Sequence, residues 1–313
     1  MPLDVVILGL VAGLFAIVSG LNDGGALLAT GLKLPTVRPA VGILTLVAML
    51  ALIPLLTHQV ALTFVTRLAT FNAPGGRNAT TVAVICSLAV VLALSARGLP
   101  TSLTLAVVGG LTGAGLGWGL PVSAGSVLLV LLFGILAPVA GGVAAWLVTP
   151  LLQRLAQTGG LPRWHRAGFL VQCVAYAAND GQKALAVFII ALGTAPGPGT
   201  TTLTAVLFGL GAMYGLPKAG RLLSREIIVS RPLHGVAAEF AAGGAVLASA
   251  AAGMPVSMTQ AVAGALIGAG VTQGGGRVRW YAAVKIATAW LLTLPASALL
   301  AALTAWIVKA AVS

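Results

Sequence analysis

The chain repeats itself at half its length, and this constrains its fold more than any other feature. Asn22-Asp23-Gly24 returns as Asn179-Asp180-Gly181, 157 positions later. Gly98-Leu99-Pro100-Thr101-Ser102-Leu103-Thr104 returns as Gly253-Met254-Pro255-Val256-Ser257-Met258-Thr259, 155 positions later. From Pro100 and Pro255 onward 11 of 20 aligned positions are identical, among them Ser102/Ser257, Thr104/Thr259, Gly109/Gly264 and Gly113/Gly268. Each half, 1–156 and 157–313, therefore carries one Asn-Asp pair and one Pro-hydroxyl motif inside otherwise apolar sequence. Matching polar elements in two apolar halves are the pattern of a secondary transporter.

Composition fixes the environment. With 59% hydrophobic residues, 7% charged residues and a mean hydropathy of +1.07, the chain lies outside the soluble range. Apolar runs of spanning length fall at about 3–30, 40–56, 80–96, 102–119, 123–150, 167–193, 201–216, 236–252, 254–272 and 282–308. They are continuous rather than alternating, which predicts an all-α polytopic membrane protein and excludes barrel strands. The count is ten, or twelve if re-entrant pieces are counted separately. No connection is long enough to hold a soluble domain. Met1-Pro2-Leu3-Asp4 lacks a basic n-region, so residues 5–20 are expected to be a retained membrane segment.

The net charge of +12 would suit a nucleic-acid partner, but the placement of the charges excludes that reading. The odd-numbered connections hold twelve Lys and Arg residues, including Lys33, Arg38, Arg97, Lys218, Arg221 and Arg225. The even-numbered connections hold only Arg67 and Arg77. The positive-inside rule then places the odd connections in the cytoplasm and both termini outside. Five segments per half, an odd number, further predict that the second repeat runs inverted relative to the first.

Function must rest on a few polar groups. Cys86 and Cys173 have no CxxC or Cys/His spacing and read as small buried hydrophobes. His58, His165 and His234 lie in or near connections and read as interfacial. No nucleophile elbow, phosphate-binding loop or metal constellation appears, so the chain is not read as an enzyme and calls for no cofactor. Asp23 and Asp180 are two of only five acids in the chain. A carboxylate at membrane depth is costly unless paired, protonated or bound to a cation. A single Asn-Asp-Gly would read as a turn. Two copies, each flanked on both sides by apolar sequence, read instead as spanning helices broken near their middles. Asn22, Asp23, Asn179 and Asp180 at such breaks could hold Na⁺, and the two carboxylates could carry H⁺.

Pro-x-Ser-x-Thr reads as a helix start, with Pro in the first turn and hydroxyls available to cap free N–H groups. A helix N-terminus offers unpaired donors and a positive dipole end, which suit an anion without a permanent positive charge. Two such starts, one per repeat, could grip one tetrahedral oxyanion through Thr101, Ser102, Thr104, Ser257 and Thr259, with Asn22 and Asn179. The plainer alternative is that Ser102 and Ser257 cap two ordinary helices. Lys183, three residues after Asp180, could pair with it locally or compensate the anion's charge. Glu239 is expected to pair at the interface with Arg225 or Arg231, and Lys285 to snorkel.

These residues resemble the inorganic phosphate transporter family of membrane symporters, whose repeat carries an N-D-x-x-N-A element and a G-[LM]-P-[VT]-S-T-T-H element. Asn179-Asp180-Gly181-Gln182-Lys183-Ala184 resembles the bacterial form of the first, and Gly98 through Leu105 and Gly253 through Gln260 resemble the second. The likeness extends through Gly215–Arg231, Gly235 through Glu239, and Val278 through Pro295. The chain departs from the pattern at Ala26, Leu103, Leu105, Met258 and Gln260. The resemblance implies cation-driven phosphate uptake at the cell membrane, an inverted-repeat fold with re-entrant segments around a midplane site, and a homodimer. The family also includes sulfate carriers. Retained carboxylates beside the oxyanion favour phosphate, which can donate a proton to them where sulfate cannot. A sulfate permease of the same fold and an uncoupled anion channel are the alternatives.

Overall fold

A computed structural model describes residues 3–31, 34–68, 71, 73–97, 101–156, 160–193, 196–226 and 231–312. The side chains of 25–26, 28–30, 216–226, 277 and 312 lie outside that description, as do Gly98, Leu99, Pro100 and Lys33. The described chain forms twelve α-helices: α1 (Leu3–Gly31), α2 (Pro39–Leu56), α3 (Gln59–Leu62), α4 (Gly76–Ala96), α5 (Leu103–Trp118), α6 (Ala124–Leu155), α7 (Leu161–Tyr176), α8 (Gln182–Leu192), α9 (Pro198–Glu226), α10 (Pro232–Ala251), α11 (Met258–Val271) and α12 (Trp280–Val312). All ten apolar runs are helical, with α7 and α8 sharing one run. The short α3 and the π-helical turn Thr63–Arg67 after it are additional to the ten.

Six helices (α1, α2, α4, α6, α10 and α12) combine spanning length with low charge. Together with the family relationship given below, they make this a multi-pass membrane protein. Helices α5 and α11 are apolar but have only 16 and 14 residues. At 1.5 Å per residue they reach about 24 and 21 Å, short of the roughly 30 Å hydrocarbon core. These are the re-entrant candidates. On α6 and α12 large apolar side chains such as Leu132, Ile135, Leu147, Leu291, Leu299 and Ile307 are exposed, as a lipid-facing surface requires.

The two short helices pack in matching ways. Helix α5 lies along α12, and α11 along α6. A Cβ on Gly109 would fall 2.4 Å from the Leu294 carbonyl oxygen, and one on Gly113 2.0 Å from that of Ala298. The repeat-related Gly264 and Gly268 would meet the Pro138 and Gly142 carbonyl oxygens at 2.0 and 1.9 Å. The glycines that recur in the sequence therefore seat each short helix against the long last helix of the opposite half. Backbone approach this close is the usual means of helix association where lipid removes the hydrophobic drive.

The first Asn-Asp-Gly does not break its helix. Helix α1 runs uninterrupted from Leu3 to Gly31. Gly24 is helical and serves contact rather than a turn, since a Cβ there would sit 2.8 Å from the Ala212 Cβ of α9. The second copy departs from α geometry only by a π-helical turn, Ala177–Gly181, between α7 and α8. Asn179 and Asp180 bond Val256 and Lys183, and Asn22 bonds Asp23, so these side chains do not compete for the helix backbone in either element.

Candidate functional site

The π-turn is where the polar groups converge. A π-turn widens the helix by one residue and leaves the local hydrogen-bond ladder irregular, which is common at functional sites. Here it turns Asn179, Asp180 and Lys183 toward the segment that precedes α11. Asn179 Nδ2 donates to the Val256 carbonyl at 2.8 Å, and the Val256 amide donates to Asn179 Oδ1 at 3.1 Å. The same carbonyl accepts from Lys183 Nζ at 2.7 Å and from Thr104 Oγ1 at 3.1 Å. Lys183 Nζ also donates to Asp180 Oδ1 at 2.7 Å and to Thr104 Oγ1 at 2.5 Å. One backbone carbonyl thus joins the π-turn, the first turn of α5 and the extended stretch before α11.

The Pro-hydroxyl motifs are helix starts, as the sequence predicts. Ser102 and Ser257 are the N-caps of α5 and α11, each in extended backbone, and accept from Leu105 and Gln260 amides at 3.2 and 3.5 Å. Ser257 Oγ and Thr259 Oγ1 are 2.8 Å apart. The hydrogen bond from Thr104 to Val256 brings the two helix N-termini to one place. All of these side chains are buried, and so are Asp23 and Asp180. A cavity of about 740 Å³ lined by Asp4, His58, Arg77, Asn78 and Ile190, among others, contains none of them.

Two predicted members stand slightly apart. Asn22 is half-buried and donates through Nδ2 to Asp23 Oδ1 at 3.1 Å. Thr101 is buried and reaches Ser95 at 3.5 Å. Asp23 faces the cluster electrostatically: Asp180 and Lys183 are the charged groups that act on it. Of the two roles the sequence leaves open for Lys183, the structure has the local ion pair.

Several supporting residues escape a sequence reading. Tyr176 donates its hydroxyl to the Asp23 carbonyl at 2.5 Å, tying the two Asn-Asp elements together. Gln182 Oε1 accepts from the Val60 and Ala61 amides at 2.8 and 3.2 Å and so holds α3 at the π-turn. Thr63 Oγ1 donates to the Gly253 carbonyl at 2.6 Å. Ser87 and Ser297 both donate to the Ala106 carbonyl, pinning α5 to α4 and α12. The signal for Tyr176 and Gln182 was their adjacency to the Asn-Asp pair.

The expectation for Glu239 is corrected. Glu239 is fully buried and, among the described residues, pairs with His165 Nδ1 at 3.1 Å; the Arg225 side chain lies outside the described residues. His165 and His234 are likewise buried rather than interfacial, because α7 and α10 begin earlier than their apolar runs and carry both rings into the bundle. Cys86 and Cys173 are free and buried, and Lys285 is exposed.

Residues 167–301 match the Phosphate transporter family. A probable low-affinity inorganic phosphate transporter of Mycobacterium leprae is 32% identical over 67% of this chain, and the chain spans 56% of that relative's length. A protein of the same description from Rhizobium meliloti is 30% identical over 66% of this chain and 67% of its own. One from Bacillus subtilis is 23% identical over 94% of each. Among solved structures, the sodium-dependent phosphate transporter superposes with a TM-score of 0.85 over 98% of this chain and 99% of that one, at 18% identity, which establishes the fold.

Proposed function

Because this chain belongs to the phosphate transporter family, we propose that it carries inorganic phosphate across the cell membrane in symport with H⁺ or Na⁺, by alternating access. The observation that carries the reading is the meeting of the α5 and α11 N-termini beside the Asn179–Asp180–Lys183 cluster. Two positive dipole ends and their hydroxyls supply donors for a tetrahedral oxyanion, contributed by Thr101, Ser102, Thr104, Ser257 and Thr259, with Asn22 and Asn179 at its edge. Asp23 and Asp180 are the carboxylates of the coupling site. The cation offsets the charge that phosphate brings, so the loaded site moves without unpaired charge at membrane depth.

In this reading residues 1–156 and 157–313 are inverted repeats that rock about the shared site. The repeat-related glycine contacts of α5 on α12 and α11 on α6 support it. The charge asymmetry of the connections supports extracytoplasmic termini. The homodimer rests on the resemblance alone.

Radiolabelled phosphate uptake into proteoliposomes, under imposed H⁺ or Na⁺ gradients and with excess unlabelled sulfate, tests the proposal. Accumulation above equilibrium that resists sulfate is expected. Uptake abolished by sulfate would make the chain a sulfate carrier, and uptake that only follows the anion gradient would make it a channel.

A further inference from the structure

The two Asn-Asp elements are unequal in charge. Three positions after Asp23 the chain has Ala26, and three positions after Asp180 it has Lys183. An ammonium group has three donors and no acceptor. All three are taken in Lys183, by Asp180 Oδ1, Thr104 Oγ1 and the Val256 carbonyl, at 2.7, 2.5 and 2.7 Å. These oxygens come from three separate segments: the π-turn, the first turn of α5 and the stretch before α11. A carboxylate, a hydroxyl and a backbone carbonyl converging on one point form the hard-oxygen set that a small cation takes in transporters. That point is filled by a group covalently fixed to α8.

Among the described residues Asp23 has no such charged partner. It is buried, and its side chain accepts from the uncharged Asn22 amide. Among the described residues the ion pairs are Arg77–Asp4, His165–Glu239 and Lys183–Asp180, and none includes Asp23. Tyr176 binds its backbone carbonyl, not its carboxylate. Asp180 and Lys183 both act on it electrostatically, and as a pair they carry no net charge.

We propose that Lys183 is a tethered counter-cation. It occupies the cation position of the second Asn-Asp element, closes that position to Na⁺, and leaves Asp23 as the carboxylate that a mobile cation must neutralise. This rests on the cation-coupled reading above and deepens it: one mobile cation is loaded at Asp23 in each cycle, not one at each element. Removing the ammonium would reopen the second position.

The test separates this idea from transport itself. Thermal unfolding of the full-length protein is followed in NaCl and in choline chloride for Asp23→Asn and for Asp23→Asn combined with Lys183→Met. With Asp23 neutralised, Na⁺ is expected to leave the midpoint of the first variant unchanged and to raise that of the second. An equal Na⁺ effect in both folded variants, or none in the second, overturns the proposal. If the double variant does not fold, the reversal potential of phosphate flux in wild-type proteoliposomes decides: one coupling cation per phosphate supports the proposal, and two overturn it. Absence of any driven phosphate accumulation would defeat the symport reading, while the Na⁺ shift would still report on Lys183.

Discussion

Asn179 and Val256, 77 positions apart, exchange two hydrogen bonds: the side-chain amide donates to the carbonyl at 2.8 Å, and the backbone amide donates to the side-chain oxygen at 3.1 Å. An asparagine is the residue that can imitate a backbone partner in this way, giving and accepting at once. The extended stretch before α11 thereby gains, from the π-turn, the pairing that a strand neighbour would supply. Asn179→Ala leaves a buried N–H without its acceptor and costs about 1–3 kcal/mol. A lowered unfolding midpoint of the purified protein, together with weaker phosphate binding, is the expected outcome.

The glycine contacts predict equal sensitivity in the two halves. Gly113→Ala and Gly268→Ala each place a methyl about 2 Å from a backbone oxygen of the facing helix, as the 2.0 and 1.9 Å values require. The helices must separate, at a cost of about 1–3 kcal/mol for overpacking. Gly125→Ala meets nothing within 4 Å and serves as the control. Midpoints measured in one detergent should fall for the first two variants and hold for the third.

The His165–Glu239 pair should be expensive to break. Its side chains are 1% and 0% exposed. Glu239→Ala strands the His165 Nδ1 in the bundle, and leaving a buried polar group unpaired costs about 1–3 kcal/mol. Glu239→Gln keeps an oxygen within reach and should cost less. A double-mutant cycle with His165→Ala isolates the pairwise part, and single effects that simply add would contradict the pairing.

Arg77–Asp4 is the opposite case. At 3.4 Å, with side chains 40% and 37% exposed, it is a solvated ion pair. Such pairs contribute about 0–1 kcal/mol. Arg77→Ala should leave the unfolding midpoint nearly unchanged, and salt should have little effect on either protein.

The membrane helices were legible because burial in lipid forces continuous apolar sequence, and each of the ten runs appears as a helix. The helix starts at Ser102 and Ser257 were legible for a different reason: Pro followed by hydroxyls has a specific capping role. The continuity of α1 through Asn22-Asp23-Gly24 was not legible. Local propensity favours a turn there, and only the contact of Gly24 with Ala212, from a distant helix, explains its glycine. The same holds for Val256, whose carbonyl receives three donors while its side chain gives no hint of it. Helix α3 was hidden because four residues carry no periodicity and the Gln182 side chain, 122 positions from Val60 and 121 from Ala61, organises them. His165 and Glu239 misled because polar residues near the ends of apolar runs usually face water.

The most direct test of the account is phosphate accumulation by Asp23→Asn beside the wild type, in proteoliposomes of matched protein content under the same cation gradient. The account predicts that the wild type concentrates phosphate above equilibrium, while Asp23→Asn folds normally and does not. Wild-type accumulation by the folded Asp23→Asn protein would contradict the assignment of this carboxylate as the coupling site.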